Sequence, residues 1–321
     1  MQDLIQAAAQ RTAPYLYRTP ADRCHFLSQT INGSVYLKME NQQVSGSFKS
    51  RGAYNKILSI PEEQRKNSFF VAASTGNHAA AFCHALKTLG LNGKVFLPKN
   101  VSPAKLEFIE SFAIPYELNG KTSLQTEIHC GTVAKEQGYL MVHPYSDPDI
   151  IAGQGTIGLE LTEQIPNLDA AIVPVGGGGL ISGIASYLKA VNPSIRIIGC
   201  QPENSPEMVR SIEQGSIISE DISKPTLSDG TAGGMEQDAI TFSICQKLVD
   251  DWLLISEEEI ADAICWMVNY HQTIIEGSAG MGIAALHRLS QELAGQNVAT
   301  IICGKRISTE KLTTILLHKK A

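Results

Sequence analysis

The chain has 321 residues, with 26 Lys and Arg against 32 Asp and Glu, which gives a formal net charge of −6. A chain of this length is enough for about two domains of roughly 150 residues each. Its 43% hydrophobic content argues against disorder, and its Lys and Arg residues are scattered rather than clustered in the basic patch that a nucleic-acid binder needs. We therefore expect a folded protein with no nucleic-acid partner.

The cysteines and the N-terminus indicate the compartment. There are 7 cysteines, an odd number with no Cys-x-x-Cys pair, so neither a disulfide framework nor a zinc site is predicted. No basic segment followed by an apolar run opens the chain, so no secretory signal is predicted. The uncharged stretch from Ala170 to Leu188 contains Pro174 and a run of glycines, which fit a strand, a loop and a helix better than a membrane span. We expect a cytoplasmic protein without a membrane partner.

Short β-branched runs alternate with longer amphipathic stretches along the chain. The predicted strands are, in chain order, Ser34 to Leu37, Phe69 to Ala73, Lys94 to Leu97, Leu140 to Val142, Ala170 to Val175, Arg196 to Cys200 and Thr300 to Cys303. The predicted helices include Ala79 to Leu89, Ser102 to Phe112, Thr122 to Glu136 and Ser256 to Tyr270. This alternation predicts an α/β protein with parallel sheets covered by helices.

Two segments in the first quarter of the chain carry reactive or hydrogen-bonding side chains. Lys49 follows a flexible Ser-Gly-Ser turn and Phe48, and it starts a helical run. A lysine alone at such a place is most often a solvated surface residue. The second segment, Ser74-Thr75-Gly76-Asn77-His78, lies where a predicted strand gives way to a helix. Its hydroxyl, amide and N–H donors suit a carboxylate ligand.

A third segment is rich in glycine. Gly176 to Gly179 follow a predicted strand and precede a helix that starts near Leu180, so bare backbone N–H groups lie at a helix N-terminus. Such a loop can hold a phosphate group. The spacing is not that of a dinucleotide fold or a P-loop. On this segment alone, a phosphate site and a tight structural turn remain equally open.

The three segments, in this order, resemble fold-type II pyridoxal-phosphate enzymes, in particular the group of serine and threonine dehydratases and serine racemase. The resemblance is to the catalytic part of that group and covers nearly the whole chain. It implies a tryptophan synthase β-like fold with two open, mostly parallel α/β domains and the cofactor in the cleft between them. The large domain would comprise residues 1–66 and 147–321, and a smaller, mobile domain residues 67–146. It also implies a homodimer.

The resemblance further implies roles for individual residues. Lys49 would hold pyridoxal 5'-phosphate as a Schiff base and then act as the general base at the substrate's Cα, which requires an amine that can lose its charge. The implied cofactor contacts are Phe48 against the ring, Asn77 at the ring hydroxyl, Gly176, Gly177, Gly178, Gly179 and Leu180 at the phosphate, and Cys303 at the pyridine nitrogen. The implied contacts of the amino-acid substrate are Ser74, Thr75, Asn77, His78 and Tyr145.

Some of these roles have plain alternatives. Cys303 is either a weak donor to the pyridine nitrogen or a small buried hydrophobe. Thr75 either moves a proton on the face opposite Lys49, as a racemase requires, or only binds the carboxylate. His78 is alternatively a buried structural histidine.

Two segments depart from the family pattern. Lys305 and Arg306 replace the usual glycine-rich continuation after Cys303, and they either face solvent or reach the cofactor or an acidic group. Relatives bind a divalent cation through two carboxylates, but Gln201 stands for the first and leaves Glu207 alone. Losing one anionic ligand weakens the binding of a hard cation. We expect no tightly bound divalent metal.

The sequence thus predicts an ammonia-lyase, or dehydratase, that converts a β-hydroxy L-amino acid, by default L-threonine or L-serine, to a 2-oxo acid and ammonia. An amino-acid racemase acting on serine or aspartate is the alternative among enzymes, together with a dehydratase of a bulkier hydroxylated amino acid. A cofactor-binding protein without turnover is the alternative from another class.

Overall fold

A computed structural model describes residues 1–218, 220 and 222–318. The strands are β1 Ala21–Arg23, β2 Ser34–Lys38, β3 Phe69–Ala73, β4 Asn92–Leu97, β5 Tyr116–Leu118, β6 Leu140–Met141, β7 Ala170–Pro174, β8 Arg196–Pro202, β9 Asp251–Ile255 and β10 Asn297–Ile301. The helices are α1 Gln2–Thr12, α2 His25–Thr30, α3 Lys49–Ser59, α4 Glu62–Lys66, α5 Asn77–Leu89, α6 Pro103–Glu110, α7 Ser123–Gln137, α8 Pro148–Gln164, α9 Gly179–Val191, α10 Glu207–Gln214, α11 Ile240–Leu248, α12 Glu257–His271, α13 Gly277–Arg288 and α14 Thr309–His318.

The larger sheet has six strands in the order β1-β2-β10-β7-β8-β9. All neighbouring strands in it run parallel except β1, which is antiparallel to β2. Every residue of the central strand β7 is buried, as expected for a parallel strand covered by helices on both faces. The main hydrophobic core lies around this sheet and includes Ile172, Ile198 and Ile301.

The smaller sheet has four parallel strands in the order β5-β4-β3-β6. Its core contains Phe70 from β3 and Phe82 from α5. Tyr54 and Ile57 of α3 belong to the same core, so the helix that begins at Lys49 packs against the smaller sheet. The lysine is thereby held beside both sheets.

A buried group of charges fixes the helix that carries the lysine. The Arg51 guanidinium binds Glu40 at 2.8 Å and Glu160 at 2.6 Å. The Lys38 ammonium, also buried, binds Glu160 at 2.5 Å. Because Arg51 lies two residues after Lys49 in α3, these ion pairs tie the start of the helix to β2 and α8.

Most of the predicted elements are confirmed, and the α/β fold with two open, mostly parallel sheets is confirmed with them. The strand predicted from Thr300 to Cys303 is wrong in its bounds, because β10 ends at Ile301 and Cys303 lies in the loop beyond it. The strands β1, β5 and β9 were not predicted. Two of them are three-residue edge strands with too few residues for an alternating pattern to show.

The sheets suggest where the chain divides. All four strands of the smaller sheet lie between Phe69 and Met141. The domain boundary at residues 67–146 stays a prediction. Because α3 packs on the core of the smaller sheet, a helix that precedes residue 67 also contacts the predicted small domain. Within the described residues, no helix has the length and apolar character needed to cross a membrane.

Candidate active site

Lys49 lies at the first position of α3, where the chain leaves a short bridge between Ser47 and Gly304. Its Nζ donates a hydrogen bond to the carbonyl oxygen of Pro144 at 2.6 Å. Burial lowers the pKa of Lys49 to about 8, even though the carboxylates of Glu127 and Glu276 act to raise it. The amine is therefore neutral in a useful fraction of molecules near physiological pH, which a nucleophile or a base requires.

The glycine loop joins β7 to α9. Gly178 has a φ of +85°, in the left-handed region that favours glycine, and the helix begins at Gly179. A Cβ at Gly177 would meet the Tyr145 ring at 2.5 Å, so a side chain there would disturb the packing. The first turn of a helix has N–H groups with no partner inside the helix, and they favour an anion. This loop can hold a phosphate group.

The segment after β3 forms the turn into α5. The backbone N–H of Gly76 donates to Ser74 Oγ at 3.2 Å, and α5 starts at Asn77. Ser74, Thr75 and Asn77 line one large cavity together with Lys49. Hydroxyl groups and N–H donors of a helix N-terminus therefore face the same space as the amine.

His78 lies in this segment but its ring is engaged elsewhere. The side chain is buried, and its Nε2 is 2.8 Å from the carbonyl oxygen of Val142. Burial, and then the charge of Lys49, lower the pKa of His78 to about 3. The ring is neutral, so Nε2–H donates to the carbonyl. This contact favours the structural interpretation of the histidine ring.

Asn77 and Cys303 meet at the carboxylate of Glu276. The Asn77 Nδ2 donates to both oxygens of Glu276, at 3.0 and 2.8 Å. The Cys303 Sγ donates to the same carboxylate at 3.5 Å. Burial, and then the charge of Glu276, raise the pKa of the Cys303 thiol well above its ordinary range, so the thiol keeps its proton. Cys303 can act only as a weak donor here.

The two cations that follow Cys303 have distinct environments. Lys305 is exposed, whereas the Arg306 guanidinium lies over the Phe108 ring at 3.9 Å and donates to the carbonyl oxygen of Ser45 at 2.8 Å. The backbone N–H of Arg306 donates to Glu276 Oε2 at 3.3 Å. The segment thus reaches an acidic group through its backbone.

Tyr145 forms part of the wall of the large cavity that Lys49 also lines. Its ring packs against Gly177, and its hydroxyl oxygen accepts a hydrogen bond from the backbone N–H of Glu236 at 3.1 Å. The backbone N–H groups of Tyr145 and Ser146 both donate to His143 Nδ1. Because Nδ1 accepts, His143 carries its proton on Nε2, which lies 3.0 Å from Glu236. This network holds the tyrosine in place.

These residues surround a cavity of about 1350 Å³ between the two sheets. A smaller adjoining space is lined by Phe48, Cys303, Leu180 and the glycine loop, and Lys49 and Asn77 line both. The carboxyl ends of β3 and β7 lie next to these spaces, which is where open α/β sheets bind their ligands. The structure therefore brings most of the sequence-predicted site residues together.

The residues present fit pyridoxal phosphate. Asn77 Oδ1 is buried without a hydrogen-bond partner among the described residues, so it can accept a bond from a ligand's hydroxyl group. The glycine loop offers N–H groups to a phosphate, and Lys49 offers an amine of lowered pKa to an aldehyde. Each part of the cofactor has a matching group along the smaller space.

Sequence reasoning missed two acidic residues of the site. Glu127 of α7 lines the large cavity, and Glu236 binds His143 from the loop before α11. The sequence placed Glu127 only on an amphipathic helix, and nothing in that pattern marked it as facing Lys49. Contacts between elements so far apart in the chain are set by tertiary packing.

The region of the family's metal site is held by other contacts. Gln201 is buried, and its Oε1 accepts a hydrogen bond from the backbone N–H of Val209 at 2.8 Å. Glu207 accepts hydrogen bonds from the hydroxyls of Ser205 and Ser223. Within the part of the chain that the structure describes, no group of three or more His, Cys, Asp or Glu side chains is placed to hold a metal ion. The absence of a tightly bound divalent metal stays a prediction.

The fold and the site together define an α/β protein whose cleft offers an amine, a phosphate loop and carboxylate-binding donors to one bound cofactor. The family model "Pyridoxal-phosphate dependent enzyme" matches residues 12–304. The chain belongs to this family of pyridoxal-phosphate dependent enzymes, as its resemblance to fold type II predicted.

Three proteins with named activities are similar to this chain in sequence or in structure. The L-threonine ammonia-lyase of Thermotoga maritima is 39% identical over 310 residues, which cover 96% of this chain and 76% of that protein. The catabolic L-threonine dehydratase TdcB of Escherichia coli K12 is 36% identical over 317 residues, covering 98% and 95%. Maize serine racemase is similar in structure, with a TM-score of 0.90 and 32% identity, covering 99% of this chain and 98% of that one.

Proposed function

We propose that the protein is a pyridoxal-phosphate-dependent ammonia-lyase that converts a β-hydroxy L-amino acid, by default L-threonine or L-serine, to a 2-oxo acid and ammonia. The observation that carries the proposal is the partly buried amine of Lys49, with its pKa lowered to about 8, in a cavity that also contains the turn from Ser74 to Asn77. The names of the two most similar relatives quoted above support the reaction class.

The proposed cofactor site is the smaller space together with the adjoining part of the large cavity, which Lys49 and Asn77 also line. Lys49 would hold the cofactor covalently, and Phe48 would lie beside its ring. The N–H groups from Gly176 to Leu180 would bind its phosphate, Asn77 its ring hydroxyl, and Cys303 the side of its pyridine nitrogen. When bound, pyridoxal phosphate supplies the electron sink that stabilises negative charge at the substrate's Cα.

The proposed substrate site is the part of the large cavity next to Lys49. Ser74, Thr75 and the N-terminus of α5 would bind the substrate carboxylate, which the positive end of the helix dipole favours. Lys49 would then remove the proton from Cα. Hydroxide would leave Cβ and take up a proton, so that one water is released. Hydrolysis of the released unsaturated amine then consumes one water, so the net products are a 2-oxo acid and ammonia.

The roles of two residues follow from the same geometry. Tyr145 would form a wall of the substrate site, because its ring and hydroxyl are both fixed. His78 would contribute its backbone rather than its ring, since Nε2 binds Val142. Closure of residues 67–146 over the substrate would exclude water from the reaction.

The test measures the product and the cofactor together. The purified holoenzyme is incubated with L- and D-forms of serine and threonine, and 2-oxo acid formation is compared with that of Lys49→Ala. We expect an absorbance band of the bound cofactor and 2-oxo acid from an L-substrate in the wild type, with neither in the variant. A wild type that binds the cofactor but forms no 2-oxo acid from any of these amino acids would contradict the proposal.

A racemase is a second candidate, favoured by one observation. Thr75 lines the same cavity as Lys49, which places this hydroxyl-bearing residue beside the space that the substrate would occupy. Maize serine racemase is also among the similar structures. If Thr75 moves a proton, Thr75→Ala loses racemisation of L-serine while 2-oxo acid formation persists. Equal losses of both activities would assign Thr75 to carboxylate binding alone.

We also propose a cytoplasmic homodimer. All seven cysteines lie in the described part of the chain, where they are buried and form no disulfide, which suits a reducing compartment. Exposed Phe26 and Tyr270 form an edge-to-face pair with ring centroids 5.3 Å apart, an apolar surface suited to a second subunit. Sedimentation of the holoenzyme tests the dimer, and a mass equal to one chain at micromolar concentration would exclude it.

A further inference from the structure

One acidic side chain in the large cavity has no role in the reaction as proposed above. Glu127 lies on α7, the helix whose residues Ser123, Leu124 and Thr126 also line the cavity. The start of this helix packs against the loop that follows α10, because a Cβ at Gly234 would meet Leu124 Cδ2 at 3.3 Å. Glu127 is thus fixed on the wall of the space that the substrate's side chain would enter.

The carboxylate of Glu127 has no partner among the residues that the structure describes. Among the described residues, no hydrogen bond or ion pair is made by its side chain, in contrast to Glu236 nearby, which binds His143 at 3.0 Å. Burial, and then the charge of Glu236, raise the pKa of Glu127 to about 8, although Lys49 acts to lower it. The side chain is only partly buried and lines the open cavity, so a group placed in the cavity can hydrogen-bond to it. With a pKa of about 8, the acid is mostly protonated at pH 7 and mostly ionised at pH 9.

Glu127 and Lys49 are close enough to influence each other's charge, but no hydrogen bond joins them. Each alters the pKa of the other, yet no ion pair joins these two residues. Both residues line the large cavity, and a substrate whose Cα lies beside Lys49 would extend its side chain into the same cavity. The group that fits next to Glu127 is a hydrogen-bond donor, preferably one with a positive charge.

Besides Lys49, four cations among the described residues line the same cavity: Lys305 is exposed and lies against Gly46, and the other three have partners elsewhere. Lys105 and Lys311 both contact Asp229, at 3.1 and 3.5 Å. The Arg306 guanidinium is held by Ser45 and the Phe108 ring. Within the described residues, a carboxylate on the substrate's side chain would meet Glu127 and find no unengaged guanidinium beside it.

We propose that Glu127 determines substrate specificity, so that the site, when this side chain is ionised, favours amino acids with a hydroxyl or ammonium group on the side chain and rejects those with a side-chain carboxylate. This inference rests on the proposed function, because it assumes that an amino acid binds with its Cα beside Lys49. It also narrows that function: serine, threonine and 2,3-diaminopropionate belong to the accepted class, and 3-hydroxyaspartate belongs to the rejected one.

The test measures binding without turnover. At about pH 9, where Glu127 is ionised, the holoenzyme is titrated with L-alanine, L-2,4-diaminobutyrate and L-aspartate, which carry no β-hydroxyl leaving group. The dissociation constants are read from the absorbance of the bound cofactor. In a partly buried site, a ligand whose charge is opposite to that of the protein group binds with a much more favourable free energy than a ligand with the same charge. We expect diaminobutyrate to bind at least about tenfold more tightly than aspartate, with alanine between them.

Three variants separate the role of the charge from that of the fold. In Glu127→Gln the dissociation constants of diaminobutyrate and aspartate should come within about threefold of each other. In Glu127→Lys aspartate should bind more tightly than diaminobutyrate. Glu136→Gln makes the same substitution on an exposed part of the same helix and should leave the wild-type ratio unchanged. A ratio in Glu127→Gln equal to that of the wild type would overturn the proposal.

The wild-type ratio is decisive by itself if a variant fails to fold. Wild-type protein that binds aspartate as tightly as diaminobutyrate contradicts the role of Glu127. Failure of the proposed function has a different signature: no 2-oxo acid forms from serine, threonine or 2,3-diaminopropionate, while the binding selectivity and its loss in Glu127→Gln remain.

Discussion

Asn77 and Glu276, which are 199 residues apart in the chain, are joined by two hydrogen bonds from the Asn77 amide to the Glu276 carboxylate. Asn77 begins α5 beside the smaller sheet, and Glu276 precedes α13 beside the larger one. Burial raises the pKa of Glu276, so its charge depends on these donors, on Cys303 and on the backbone of Arg306. The contact therefore couples the two sheets at the cofactor site.

Replacing Asn77 by alanine should destabilise the fold. The substitution removes both amide hydrogen bonds from a buried carboxylate, and hydrogen bonds to charged groups contribute about 1.5–3 kcal/mol. We expect urea unfolding of the apo-protein to show a loss of this size. Asn67→Ala is the control, because Asn67 makes one exposed bond to the Glu63 carbonyl and its loss should cost less than about 0.5 kcal/mol. Equal stability of the two variants would refute the coupling.

The pH dependence of cofactor attachment should report the pKa of Lys49. Only the neutral amine attacks an aldehyde, and burial lowers the pKa of Lys49 to about 8. The rate at which apo-protein gains the cofactor band should therefore rise with pH and level off above about 8, whereas for an ordinary lysine it would rise to about 10.4. Stopped-flow absorbance measures this rate, with Lys49→Ala as the blank. A rate that still rises above pH 10 would contradict the lowered pKa.

The glycine loop should not tolerate a methyl group at Gly177. A Cβ there would meet the Tyr145 ring at 2.5 Å, so the ring or the loop must move and cofactor affinity should fall by roughly tenfold or more. Fluorescence titration of the apo-protein with pyridoxal phosphate measures the change. Gly131→Ala is the control, since its Cβ would meet only Met141 Sδ at 3.7 Å in the middle of α7. That variant should be unchanged in affinity and more stable by about 0.5–1 kcal/mol.

The buried charges around Arg51 should be costly to break. Arg51→Met leaves Glu40 buried without its guanidinium partner, which typically costs about 3–5 kcal/mol. The exposed pair of Arg18 and Glu163 is the contrast, and Arg18→Met should cost at most about 1 kcal/mol. Thermal and urea unfolding compare the two variants. Similar losses in both would show that burial does not distinguish these ion pairs.

Arg51→Met should also change the pH dependence of the free energy of unfolding. Burial alone would raise the pKa of Glu40, but Arg51 and then Lys38 lower it below the ordinary value. A carboxyl whose folded pKa is lowered stabilises the protein above its unfolded pKa of about 4.3, and this contribution is lost as the pH falls through the folded pKa. The stability difference between wild type and Arg51→Met should therefore narrow below about pH 4. If the difference in unfolding free energy between wild type and Arg51→Met stayed constant from pH 7 to pH 3, the lowered pKa of Glu40 would be contradicted.

The sequence by itself determined the fold class and the segments that carry the chemistry. Alternating strands and helices are local patterns, and each of Lys49, the turn from Ser74 to Asn77 and the glycine loop lies within one short segment at a junction of elements. Such junctions are visible because β-branched runs, glycines and small polar residues set the backbone conformation locally. Local patterns did not show where the last strand ends. The strand was predicted to reach Cys303, but it ends two residues earlier, at Ile301.

Only the tertiary structure decided which side chains meet. Residues from different elements meet in the contact of Asn77 with Glu276, in the approach of Arg306 to Phe108, and in the cavity that Glu127 shares with Lys49. No local pattern encodes these distances, because they depend on how the helices pack on two separate sheets. The charges and pKa values of the site follow from that packing, since burial and neighbouring charges set them.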